Sequence, residues 1–123
     1  MGLASLVGKP ATESSVLVQV LLDQGAIPFV KTNVSHLMIS WETLNPTFGY
    51  TSNAHCPGRS AGGSSGGEGA LVGGGGSVLG WGSDIGGSIR IPSSMNGVYG
   101  LRPTSERISS KGIVPVTGGQ ITS

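Results

Sequence analysis

Between Glu13 and Gly25, apolar side chains recur at helical intervals: Val16, Leu17, Val20 and Leu21 share a face, and Val18 and Leu22 widen it. The spacing predicts a helix buried over much of its girth. Thr12 or Ser14 would cap it, Glu13 would sit near its positive end, and Gly25 would stop it. Ile27-Pro28-Phe29-Val30 then reads as a short buried strand. A helix, a glycine and a strand in that order are half of an α/β layer unit. Residues 35–43 predict a short helix carrying Leu37, Met38 and Trp41, ended by Asn45-Pro46. Residues 47–61 read as an irregular loop.

The segment 65–75 predicts a second main helix through Glu68, Ala70, Leu71 and Val72. Glycine costs a helical site about 1 kcal/mol relative to alanine, so close packing against a neighbour has to offset it. Residues 77–82 predict a central strand, and 98–101 and 113–116 two more. The polar end, residues 117–123, is expected to fray. The alternation of helix and strand predicts an α/β fold, and apolar residues threaded through the glycine runs argue against a flexible linker.

Composition changes the picture in one respect. A chain of 123 residues is long enough for one domain with a core. With 11% charged residues and 23 glycines, it resembles the inside of a larger domain more than a whole soluble protein. A net charge of +1, with Lys and Arg scattered singly, points to no nucleic-acid partner. The single cysteine, Cys56, makes no internal disulfide and reads as an inert loop residue. His36 and His55 are the only histidines, so neither a metal centre nor any other cofactor is expected. Neither a signal peptide nor a membrane-spanning run is evident, and a cytoplasmic location is expected.

The chemistry concentrates in Gly62–Pro92, where Ser64 and Ser88 each lie in a glycine-dense loop. Glycines let main-chain N–H groups crowd around one point, and such a cluster stabilises an oxyanion in acyl transfer. Nucleotide loops fail on residue identity: no glycine precedes Lys-Ser or Lys-Thr, and no glycine pair is followed by the small third residue of a dinucleotide fingerprint. Gly62-Gly63-Ser64-Ser65-Gly66 matches a nucleophile elbow, yet no strand precedes it and no histidine follows His55. With histidine excluded, a serine nucleophile needs another base. A desolvated, neutral lysine can serve, with a second serine shuttling the proton.

This region closely resembles the amidase signature family, most of all fungal acetamidases and fatty-acid amide hydrolases. The resemblance extends to Gly25–Asn33, to Asn45-Pro46 with Gly49, and to Gly97–Thr104. It implies a mixed β-sheet flanked by helices and hydrolysis of a small-molecule carboxylic amide. Ser88 matches the family nucleophile. Ser64 matches the bridging serine, which relatives hold through a cis peptide. The N–H groups of Ile85, Gly86, Gly87 and Ser88 match the oxyanion hole. Asp84 and Arg90 would brace that loop, most simply as a structural ion pair. Met38, Ile39 and Trp41 match a stretch lining the acyl pocket of relatives, with core packing an equal alternative.

The resemblance also implies that residues 1–123 are a partial amidase domain, without the upstream segment that carries the family's catalytic lysine and without the C-terminal half. Lys9 and Lys31 match no catalytic motif. Three readings remain: an amide hydrolase whose segment is inactive alone, a non-catalytic remnant that acts by docking, or a segment in which Lys9 or Lys31 is recruited as a substitute base.

Overall fold

The structure, a computed structural model, describes residues 1–114. The expected fraying of 117–123, and the end of the expected strand 113–116, lie outside the described residues. Helix α1 spans Val16–Asp23. Its cap is Ser15, whose Oγ accepts from the Val18 N–H at 3.4 Å, rather than Thr12 or Ser14. The expected stop at Gly25 forms as a paired C-terminal closure: Gly25 N–H donates to Leu22 O and Ala26 N–H to Leu21 O, both at 2.9 Å. The expected deep burial does not occur. No residue of α1 is buried, and Val16, Val20 and Leu22 are exposed.

Strands β1 (Leu44–Asn45) and β2 (Gly49–Tyr50) pair antiparallel, with Leu44 opposite Tyr50 and Asn45 opposite Gly49. The Asn45 side chain shapes the turn between them. Its Oδ1 accepts from the N–H groups of Thr47 and Phe48, and its Nδ2 donates to Asn33 Oδ1 and Val34 O. Asn45 therefore continues into a strand instead of closing the helix expected over 35–43. What forms there is one 3₁₀ turn, His36–Met38, with Leu37 and Met38 in left-handed conformations. The segment 47–61 contains β2 and a Ser52–Ser60 bridge within otherwise irregular chain.

Helix α2 spans Gly66–Gly73, inside the predicted 65–75. Helix α3, Arg90–Met95, has no counterpart in the sequence reading. Pro92 conceals it, but proline is tolerated in a first turn, where no amide partner is required. The two helices approach through α2 glycines: a Cβ on Gly69 would lie 2.9 Å from both Asn96 Nδ2 and Pro92 Cβ. Asn96 is fully buried and fastens the junction. Its Nδ2 donates to Ala61 O (2.8 Å) and Pro92 O (2.9 Å), and its Oδ1 accepts from the Ala54 N–H (3.1 Å). The close packing that the glycines of 65–75 demanded is supplied here.

The expected strands 27–30, 77–82 and 98–101 do not form ladders among the described residues. A strand needs a neighbour for its alternate amides and carbonyls, and these segments have none. Val78, Leu79, Tyr99, Leu101, Ile27 and Phe29 are all exposed. The 77–82 segment is tethered to α2 instead, with Trp81 N–H donating to Glu68 Oε1 at 3.1 Å. The architecture is thus a partial α/β unit: three α-helices, of which α2 and α3 pack together, and a small two-stranded sheet among the described residues. The fully buried side chains are mostly polar: Asn96, Thr43, Asp84, Ser35 and Ser64 accompany Ala61 and Pro92.

The glycine contact gives a direct expectation. Gly69→Ala forces Asn96 and Pro92 apart and lowers stability by about 1–3 kcal/mol. Gly→Ala in an open helical site would instead stabilise by about 0.5–1 kcal/mol. Urea unfolding of the two chains decides the sign, and a stabilised variant would refute the packing argument.

Candidate active site

Ser64 is fully buried and sits just before α2. The Gly63–Ser64 peptide bond is cis. Thr43 holds the loop in place. Its Oγ1 lies 2.9 Å from Gly62 O and 3.4 Å from Ser64 O as a donor, and accepts from the Gly66 N–H at 2.9 Å, which caps the start of α2. Ser64 O also accepts from the Ser35 N–H at 3.2 Å. Nothing in the local pattern of the sequence signalled Thr43 or Ser35, because each meets the Ser64 loop from a segment distant in the chain.

Met38, Ile39 and Trp41 belong to the loop that lies over this turn. A Cβ on Gly63 would stand 2.7 Å from Ser40 O and 2.8 Å from the Glu42 backbone, so the loop passes directly against the glycine. The fully buried Ser35 hydroxyl pins it through Ser40 O (2.9 Å) and Glu42 O (2.6 Å). Ile39 and Trp41 are exposed, so these two do not pack into a core among the described residues.

Ser88 is half-buried in the turn before α3. The structure brings the two serine loops side by side, with Ser65 N–H donating to Ser88 O at 3.2 Å. Ser65 Oγ in turn accepts from the Ser83 N–H at 3.4 Å.

Asp84 organises the turn from within. Its carboxylate is completely shielded from solvent and is met by main-chain donors: Gly87 N–H at 2.8 Å on Oδ1, and the N–H groups of Ile89 (3.1 Å) and Arg90 (3.2 Å) on Oδ2. Arg90 adds a bidentate pair, Nε to Oδ2 at 3.0 Å and Nη2 to Oδ1 at 2.9 Å. The pair foreseen between Asp84 and Arg90 is therefore present, and the same carboxylate also caps α3. The guanidinium bond of Arg90 holds the Asp84 carboxyl far below the usual carboxylate range. Burial opposes this, and the amides of Arg90, Gly87 and Ile89 reinforce it. The same bond raises the pKa of Arg90.

This arrangement divides the four N–H groups of 85–88. That of Gly87 is committed to Asp84, while those of Ile85, Gly86 and Ser88 donate to no group among the described residues. Gly87 has φ +126°, a conformation open to glycine alone, whereas a Cβ on Gly86 would meet nothing within 4 Å.

Lys9, Lys31 and Lys111 make no hydrogen bond to Ser64 or Ser88. Among the described residues no group of three or more His, Cys, Asp or Glu side chains is arranged to hold a metal ion, and no helix is long and apolar enough to cross a membrane. Cys56 is exposed.

The Amidase family model matches residues 1–122. The chain is 55% identical over 118 residues to vitamin D3 hydroxylase-associated protein of Gallus gallus, covering 95% of this chain and 25% of that protein. It is 52% identical over 121 residues to fatty-acid amide hydrolase 1 of Sus scrofa, covering 98% of this chain and 21% of that protein. A solved structure of fatty acid amide hydrolase superposes with a TM-score of 0.84 at 45% identity, over 89% of this chain and 19% of that one. The chain thus spans about a quarter or less of the length of these relatives. With near-complete coverage by the family model and close agreement in fold, the chain belongs to the amidase family.

Proposed function

We propose that this chain carries the nucleophile and oxyanion site of an amidase that cleaves small-molecule carboxylic amides to acid and amine. Ser88 Oγ attacks the amide carbonyl carbon, and its proton passes to Ser64 Oγ and on to a base. The carbonyl π electrons move to oxygen, and the resulting oxyanion accepts from the free N–H groups of Ile85, Gly86 and Ser88. Collapse breaks the carbon–nitrogen bond, the amine leaves with a proton returned along the serine relay, and water releases the acid from acyl-Ser88. The base in this reading is a neutral lysine supplied from outside residues 1–123. The Met38–Trp41 loop, with Ile39 and Trp41 exposed beside Gly63, flanks the acyl group.

One observation carries the reading: the N–H groups of Ile85, Gly86 and Ser88 have no acceptor among the described residues, and the space a Cβ on Gly86 would take is open. The names and identities of the relatives point the same way. Nothing in this scheme requires a cofactor. A second reading, a non-catalytic docking segment, is favoured by the apolar side chains left uncovered at Val78, Tyr99 and Leu101.

A graft separates the two readings. The chain by itself turns over neither acetamide nor a fatty amide above background, because no lysine is hydrogen-bonded to either serine. When it replaces the aligned segment of Sus scrofa fatty-acid amide hydrolase 1, hydrolysis is retained. In that chimera Ser88→Ala lowers kcat/KM by about 10⁶-fold, and Ser64→Ala by about 10²–10⁴-fold. Gly86→Ala leaves the melting temperature unchanged yet costs about 10²-fold in rate, since its methyl enters the space meant for the carbonyl. Full activity of the Ser88→Ala chimera would end the hydrolase reading.

Asp84 predicts a pH limb. Its native pKa lies below its unfolded value, so it stabilises the fold fully above the unfolded carboxylate's pKa of about 4. That contribution is lost as pH falls toward the lower native value. Asp84→Asn costs about 2–4 kcal/mol at pH 7, mainly by mismatching buried main-chain donors. Because Arg90 is half exposed, its share of the loss is small. The variant also flattens the acid limb of stability measured by urea unfolding between pH 3 and pH 7. An unchanged limb would show that Asp84 is not the group responsible.

A further inference from the structure

We infer that Arg102 is a positioning residue for the oxyanion site, acting through the carbonyl of Asp84 to aim the N–H of Ile85. This rests on the proposed hydrolase function only for its kinetic consequence.

Arg102 reaches the site from a distant segment, eighteen residues beyond Asp84. The chain turns back at the end of α3, where Gly97 has φ +67° and Val98 N–H donates to Ser93 O at 3.0 Å. A Cβ on Gly100 would clash with the Ser93 side chain, so the absence of a side chain at 100 permits the close approach. Arg102, one-third exposed, then donates from Nε to Asp84 O at 3.1 Å and stands 3.7 Å from Asp84 Oδ1.

Asp84 O and the Ile85 N–H belong to one peptide unit. In a trans peptide the two point in opposite directions within one plane, and the one cis bond among the described residues is Gly63–Ser64. Fixing the oxygen toward Arg102 therefore fixes the N–H away from it, and that N–H is one of the three without an acceptor. A cation on the carbonyl also polarises the peptide and strengthens its N–H as a donor. Arg90 and Arg102 thus have separate tasks: Arg90 holds the carboxylate that gathers Gly87, Ile89 and Arg90 amides, and Arg102 holds the carbonyl that directs Ile85. Both approaches are made by one guanidinium nitrogen, Nε, whose place along the side chain a lysine ammonium does not share.

The test compares Arg102→Lys with Arg102→Met. In the full chain, both variants shift the Ile85 amide ¹H–¹⁵N resonance upfield, while the Gly87 resonance, held by Asp84, stays in place. In the hydrolase chimera, Arg102→Lys lowers kcat about 10-fold and Arg102→Met about 10²-fold, approaching the loss of one oxyanion donor. KM stays within about twofold in both, because the contact matters to the charged intermediate and not to the bound amide. An unmoved Ile85 resonance overturns the positioning role whatever the kinetics. An active chimera whose kcat is indifferent to residue 102 overturns it as well. If the chimera is inactive with Ser88 intact, the function reading fails and the Ile85 resonance alone decides Arg102.

Discussion

A carboxylate with no access to water has to be met by donors on every side, and the turn around Asp84 is the shape of that requirement. Its two oxygens collect the amides of Gly87, Ile89 and Arg90 together with the Arg90 guanidinium. The chain can satisfy them only by curling around the side chain. That curl begins α3, holds the half-buried Ser88, and uses one of the four amides of 85–88 while leaving three without an acceptor among the described residues. Replacing solvent with fixed dipoles at this point is costly to assemble but, once assembled, needs no rearrangement when charge develops nearby.

The remainder of the structure keeps that turn next to Ser64. Thr43 and Ser35 grip the Ser64 loop through carbonyls and an amide, and the Ser65–Ser88 main-chain bond joins the two loops. Behind them Asn96 fills the seam between α2 and α3 that glycines at 69 and 73 leave open. An interior of small and polar residues has little hydrophobic burial to draw on. Its specificity comes from complete hydrogen bonding, which makes each buried partner expensive to lose. The apolar side chains, at Val78, Tyr99 and Leu101 among others, face outward. The chain spans about a quarter or less of the length of these relatives.

What was legible in the sequence had local causes. The α1 closure at Gly25 and the course of α2 follow from residues within one or two turns of each other, where periodicity and capping act. The α1 cap was missed by one residue, since Thr12, Ser14 and Ser15 offer equivalent hydroxyls and only the backbone path selects among them. α3 was missed because its cap comes from Asp84, six residues ahead of Arg90, and Pro92 imitates a break. The strands expected over 27–30, 77–82 and 98–101 were read from apolar runs. Such runs record a preference for being covered, not the presence of the neighbour that would pair with them.

The sequence by itself determined which residues crowd glycine around Ser64 and Ser88, which family the motif resembles, and where two helices run. Those properties depend on residue identity and on contacts a few positions apart. Only the tertiary structure decided that Gly87 spends its amide on Asp84, that Thr43 and Asn96 hold the helices in register, and that Arg102 arrives at the Asp84 carbonyl. These bonds join positions separated in the chain or compete for the same donors. Their outcome is fixed by geometry in space, which no local pattern of residues encodes.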